Sequence, residues 1–335
     1  MGNKSVMKTI INIDGGYGRV LCAIPALLKY AKLNPDEDWY VMIPAWDVAT
    51  WGIPELQNRT FNPETKGIFE NYYWDADKVI YPEPYKLPKF YRNEISLREA
   101  FDEIINNTED HSDLPEMTFK CSLDEIITAK RTLSQISNEN KNKKIIVFQP
   151  FGSTIEHTEL GMYDKSMRSI NHYMVEKIVE ELSKDYIILN MNALVWQHEK
   201  VVNISPDPGL RIWAAIIQEA DYFIGCDSCG QHIARCVGTD SSVVVAGTHE
   251  VNISYPEKFH IIKREGTKYY PNPMRVSMLN SMLSDKLNEE RNAFTDDEIF
   301  SSIKEIRKRI EKGNKITSAT TITATEVKES KGFSK

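Results

Sequence analysis

The stretch ADYFIGCDSCGQHIARCVG, residues 220–238, decides the fold. It opens on an apolar, aromatic run, DYFIG, breaks at the loop CDSCG, and resumes as QHIARCVG with apolar residues at helical spacing. That is a strand, a small-residue loop and a helix. A strand that ends in such a loop leaves free backbone N–H groups and the positive end of a helix dipole at its carboxyl edge. The flanks continue the theme: the helix GLRIWAAIIQEA precedes the stretch, and the strand SVVVAG (242–247) follows it.

Working outward, IIVFQP (145–150) reads as a strand leading to a Gly-Ser-Thr loop. NHYMVEKIVEELSK (171–184) reads as a helix, and YIILNM (186–191) and VVNISPD (201–207) as further strands. Strictly alternating strands and helices imply a parallel sheet covered on both faces. Nearer the N-terminus, KTIINI (8–13), the loop from Asp14 to Gly18, the helical run VLCAIPALLKYAK and the strand WYVMIPAW (39–46) form a first βαβ unit. Residues 50–120 are rich in Tyr, Trp, Pro and Asn with poor periodicity, and helices are expected near 96–106 and 123–136. The polar run SNENKNKK (137–144) has a linker's composition. The expected organisation is an N-terminal Rossmann-like domain over 1–138 and a C-terminal one over 139–290. A helix over 291–314, acidic early and basic late, is expected to pack back on the N-terminal domain, and 315–335 reads as a disordered tail.

Bulk properties agree with a soluble two-domain chain. The 335 residues exceed one ordinary core, and 41% hydrophobic with 27% charged residues is a globular balance. No apolar run reaches the roughly 20 residues that span a bilayer. The start, MGNKSVMKTIINID, has no signal-peptide pattern, so a cytoplasmic location is expected. The Asn-x-Ser/Thr triplets at Asn58, Asn106, Asn203 and Asn252 then read as chance. Five cysteines argue for reduced thiols, and the net charge of −7 argues against an overall grip on nucleic acid or anionic membrane.

Three strand-to-helix loops, Gly15–Gly18, Gly152–Thr154 and Asp227–Gly230, would meet at the sheets' carboxyl edges. Split between two domains, they point to a ligand in an interdomain cleft. The first, Gly15-Gly16-Tyr17-Gly18, departs from the GxGxxG dinucleotide pattern, so a plain tight turn competes there.

The stretch NISPDPGLRIWAAIIQEADYFIGCDSCGQHIARCVGTDSSVVVAGTHE resembles the C-terminal domain of the heptosyltransferases, glycosyltransferase family 9, where a D-[ST]-G-x-x-H loop follows a helix and a strand. GRVLCAIPALLKYAK is similar to that family's N-terminal helix, and RSINHYMVEKIVEEL to its K-x-W-P segment, in family order and over about 100 residues. The resemblance implies a GT-B fold, two Rossmann-like domains whose parallel sheets face each other across a cleft. It further implies inverting, metal-independent transfer from a nucleotide-sugar co-substrate, with no other cofactor, to a saccharide hydroxyl. Carried over, Asp227 contacts the donor sugar, and Ser228, Cys229, Gly230 and His232 line the helix start. Arg168 stands where the family has a lysine facing the diphosphate, and Gly152, Ser153 and Thr154 line the phosphate side. Two departures stand out. Gly18 is followed by Arg19, where the family has its aspartate base, and an arginine cannot take that role. Asp14 is the nearest substitute, Asp75 and Asp77 are more remote ones, and Arg19 is left to bind a phosphate or an anionic acceptor. Cys229 replaces the family's glycine.

Other readings compete. Cys226, Cys229, His232 and Cys236 have a spacing within reach of zinc, or of a CxxC redox pair, although a strand end and a helix would aim them apart. Cys226 and Cys236 also read as small core residues. YPEPYKLPKFYR (81–92) offers Lys86, Lys89 and Arg92 to phosphates, which keeps a hydroxylated DNA base open as acceptor, or it is a surface loop packed by its own aromatics. His249 and Glu250 follow a strand and are donor-contact candidates. A non-catalytic nucleotide-binding module is the alternative to an enzyme, since Arg19 occupies the base position.

Overall fold

The computed structural model describes residues 7–140, 143–153, 155–158, 161–164, 166–193, 195–268 and 289–313. Thr154 and the expected tail 315–335 lie outside the described residues.

The class is α/β, with two parallel sheets. In the first half, β1 (Lys8–Asn12), α1 (Tyr17–Leu33), β2 (Asp38–Met42), β3 (Thr60–Phe61) and β4 (Lys78–Ile80) give a four-stranded sheet ordered β3-β2-β1-β4. Ile10 of β1 faces Tyr40 of β2 and Val79 of β4 in register. The helices α2 (Pro88–Tyr91), α3 (Leu97–Ile105) and α4 (Leu123–Glu139) follow. The aromatic-rich region 50–120 thus holds two short strands, and Tyr40, Phe61 and Tyr72 pack beside them.

The second half runs β5 (Ile145–Gln149), β6 (Ile155–Thr158), β7 (Gly161–Asp164), α5 (His172–Leu182), β8 (Ile187–Asn190), β9 (Val202–Asn203), α6 (Leu210–Glu219), β10 (Tyr222–Cys226), α7 (Cys229–Val237), β11 (Ser241–Val244), α8 (Glu250–Ile253), β12 (His260–Ile262), α9 (Glu289–Asn292) and α10 (Asp296–Lys312). Its six parallel strands are ordered β12-β11-β10-β5-β8-β9, while β6 and β7 form a separate antiparallel hairpin. Every residue of β5 and of β10 is buried, as uninterrupted apolar strands covered on both faces must be. Among the described residues, no helix is long and apolar enough to cross a membrane.

Sequence also fixes where helices start. Ser96 with Glu99, Ser122 with Glu125 and Thr295 with Glu298 close reciprocal capping boxes at α3, α4 and α10.

Two packing partners differ from the sequence expectation. α4 buries Ala129, Leu133 and Ile136 and lies along α6, so a helix expected in the first domain packs on the second. Arg211 of α6 fastens it, donating to Glu125 at 2.6 and 2.8 Å. Among the described residues α10 packs chiefly on α5, in the second half of the chain, rather than on the N-terminal half. Its stripe Ile299, Ile303, Ile306 and Ile310 joins the core of the six-stranded sheet, and Tyr173 Oη donates to Asp296 at 2.6 Å. An apolar stripe that must be covered takes whichever sheet-flanking helix leaves a groove.

Candidate active site

The carboxyl edges of the two sheets enclose a cleft of about 590 Å3. Gly15, Gly16, Tyr17, Gly18 and Arg19 line one side, and Gly152, Ser153, Arg168, Asp227, Ser228, Cys229 and His232 the other. The three loops singled out in the sequence do meet there. Residues not singled out in the sequence also line it, Trp46, Gln149, Met191, Asn192 and Asp207, together with Tyr85 from the run 81–92. All six lie at a strand's last residue or within five residues after it, on the carboxyl side where such folds bind ligands.

Gln149 changes the reading of the α7 start. Its Oε1 accepts from the Gly230 N–H at 2.8 Å, so that amide is already used, and Gly230 is not part of the cleft wall. Gly152 is similar: it lines the cleft, but its N–H donates to Ser169 Oγ at 3.0 Å.

Asp227 is 4% exposed. Its Oδ1 accepts from Gln231 Nε2 at 3.0 Å, and its Oδ2 is buried without a partner among the described residues. A buried carboxylate oxygen left unpaired is costly, and a hydrogen-bond donor in the cleft would relieve that cost. One turn on, His232 is buried where α7 meets α1. Its Nδ1 lies 2.6 Å from Tyr255 Oη and 3.5 Å from Cys22 Sγ. The contact leaves no spare room: a Cβ on Gly18 would sit 2.4 Å from His232 Cδ2, so only glycine lets the two halves close.

Burial pushes the His232 imidazole down to about 4, with Asp227 acting upward and Arg168 downward. The folded value lies below the ordinary 6.5, so the unfolded chain takes up the proton first. The stability that neutral His232 secures is complete above pH 6.5 and is lost as pH falls toward 4, amounting to about 3 kcal/mol over that window. Denaturant melts are expected to show wild type losing about that much more stability than His232→Gln between pH 7 and pH 4. Parallel curves would contradict it.

Arg168 sits in a loop tied by Asp164, whose Oδ1 accepts from Ser166 N and whose Oδ2 accepts from Ser169 N and Oγ. Arg168 Nε donates to Ser166 Oγ at 2.9 Å, and its Nη2 is aimed across Gly152. The loop is pressed against the end of β11: Gly247 N donates to Met167 O at 2.9 Å, and a Cβ on Gly247 would meet Met167 O at 2.6 Å. No flexible atom can give way there.

Several candidates are placed differently from the sequence reading. Asp14 does not line this cleft. Its side chain is 72% exposed, lies 3.0 Å from Arg19 Nη2, and forms part of a neighbouring pocket. Arg19 is not an open anion site, because it also pairs with Glu83 at 3.2 Å, donates to Pro82 O and stacks on Tyr85. Asp75 and Asp77 are occupied at β1, accepting from Lys8 Nζ and Lys8 N. His249 caps α8 through the Val251 N–H, and Glu250 pairs with Lys263 at 2.8 Å; neither lines the cleft. In the run 81–92, Lys89 pairs with Glu103 and Glu109, and Arg92 with Glu94, so two of its three cations are engaged with acids. Tyr85 packs on the buried Phe90, the pattern of a loop packed by its own aromatics.

The cysteine cluster separates. Cys226 belongs to the core on one face of the six-stranded sheet, whereas Cys229 and Cys236 pack against the core on the other. Among the described residues, no three His, Cys, Asp or Glu side chains come together as metal ligands. Burial raises the Cys226 and Cys236 thiols, the opposite of reactive cysteines.

Two Rossmann-like units with a cleft between the carboxyl edges of their parallel sheets define the GT-B fold. The same fold is seen in solved structures of glycosyltransferases. The chain is similar to a glycosyl transferase family 9 structure from Veillonella parvula DSM 2008, with TM-score 0.65 and 11% identity, covering 90% of this chain and 97% of that one. It is also similar to E. coli ADP-heptose LPS heptosyltransferase II, with TM-score 0.58 and 14% identity over 90% and 100% of the two chains. A third similarity is to the iron-containing dodecameric glycosyltransferase TibC from enterotoxigenic E. coli H10407, with TM-score 0.62 and 11% identity over 90% and 76%. No family model and no curated protein sequence matches the chain.

Proposed function

We propose that the chain is an inverting glycosyltransferase that binds a nucleotide-sugar donor in the interdomain cleft and needs no catalytic metal. The observation that carries this reading is the pairing of unlike partners in one cleft. Asp227 presents an unpartnered carboxylate oxygen suited to a sugar hydroxyl, and Arg168 with the α7 N-terminus offers positive potential suited to a diphosphate. In the proposed reaction an acceptor hydroxyl oxygen bonds to the anomeric carbon as the bond from that carbon to the diphosphate breaks. The hydroxyl proton passes to Asp14, and the nucleoside diphosphate leaves toward Arg168. The fold supports ADP-sugars as first probes, because one structure of this fold holds ADP-D-beta-D-heptose.

A thermal-shift series with ADP, UDP and GDP sugars tests the reading. A donor at about a hundred times its Kd adds about 2.7 kcal/mol, a rise of several degrees. If no nucleotide sugar or nucleoside diphosphate moves the transition, the reading fails. Binding without turnover toward any acceptor identifies instead a non-catalytic nucleotide-binding module, consistent with Arg19 in the base position.

A further inference from the structure

A second pocket, of about 310 Å3, lies at the carboxyl ends of the four strands of the first sheet. Asn12, Asp14, Pro44, Pro63, Tyr81, Glu83 and Lys86 enclose it. Arg19 is the partition between this pocket and the cleft, since its guanidinium lines the cleft while its nitrogens hold Asp14 and Glu83.

Three features of this pocket point the same way. The first is an amide without a partner. Asn12 accepts from Tyr73 Oη through Oδ1, and its Nδ2 is buried with no hydrogen-bond partner among the described residues. A hydroxyl group, both donor and acceptor, satisfies that amide in either orientation. The second is the charge. Two carboxylates, Asp14 and Glu83, offset two cations, Arg19 and Lys86, and both terminal nitrogens of Arg19 face the carboxylates. An added phosphate or carboxylate would meet two like charges and only one open cation. The third is the rim. Tyr81 is 70% exposed on the pocket wall. From Tyr73 the aromatic surface continues to Phe69, nearly parallel at 6.3 Å, and on to Trp74, which is 78% exposed. Exposed aromatics contiguous with a pocket mark a binding surface, and the C–H faces of sugar rings are apolar enough to lie on them.

We propose that this pocket and its aromatic rim bind an uncharged oligosaccharide, whose terminal ring takes the Asn12 amide and whose next rings lie over Tyr81 toward Trp74. Resting on the glycosyltransferase reading, this oligosaccharide is the acceptor, and its hydroxyl lies beside Asp14. The experiment measures binding directly. The full chain is titrated by saturation-transfer NMR and calorimetry with trisaccharides of glucose, galactose, mannose and N-acetylglucosamine, each against its 6-phosphate. At least one neutral trisaccharide is expected to bind more tightly than its phosphorylated form. Tyr81→Ala, at an exposed position that leaves the core untouched, is expected to weaken it roughly tenfold. Asn12→Leu is expected to weaken it comparably, and the melting shift caused by nucleoside diphosphate is expected to stay unchanged in both variants. Tighter binding of the phosphates, undiminished binding by Tyr81→Ala, or no binding of any trisaccharide overturns the proposal. A lost nucleotide shift in wild type overturns the donor reading instead, so the two failures are distinct.

Discussion

Replacing Asp14 by Asn is expected to cut glycosyl transfer by about a thousandfold, the usual weight of a general base, while the donor-induced melting shift persists. The substitution keeps the shape of the side chain, and an amide oxygen still accepts from Arg19 Nη2, now at 3.0 Å from the carboxylate. What it removes is the ability to take a proton. Asp14 lies on the first strand-to-helix loop, in the pocket that adjoins the donor cleft across Arg19, and in the proposed reaction it takes the proton of an acceptor hydroxyl held there. Because the side chain is largely solvent-exposed, the fold does not depend on it. Steady-state rates with a saturating donor check the expectation, and a variant as active as wild type would remove Asp14 from the mechanism.

Asp227→Asn is expected to lower kcat/KM by about 100-fold, with the loss appearing in donor affinity as well as in rate. The same change is expected to raise the melting temperature. Gln231 keeps its acceptor on one side, and a buried, unpaired carboxylate oxygen is replaced by a neutral group. Opposite signs in activity and stability separate a residue held for a ligand from one held for the fold. If both quantities fell together, Asp227 would be a structural residue of the α7 turn.

Much of this was legible in the residues. The apolar runs at 145–148 and 222–226 announced central parallel strands, and the glycine and Asp-Ser loops after them announced the cleft. Strand alternation likewise implied that Cys226 and the α7 cysteines face different ways, as the two cores show. What did not show was partnership. The stripes of α4 and α10 state that something covers them but not what, because periodicity carries no address. The β6–β7 hairpin was missed for lack of a turn dipeptide between alternating residues. Gln149 reads as part of a strand, and nothing local says that its amide would consume the Gly230 N–H 81 residues on. The sequence also does not show that Asp14 and Arg19 form an ion pair which, shared with Glu83, makes them one wall.

The zero clearance between Gly18 and the His232 ring sets the gauge of the whole machine. The two halves rest on each other at the bottom of the cleft, so the height of the slot above is fixed by the absence of one methyl group. Any larger residue at position 18 would act as a shim and lift the Gly15–Arg19 side away from Asp227. Reach between the two sides is thus calibrated at a contact in the cleft wall itself, and drift there would read out as slackened chemistry in a protein that still binds its ligands.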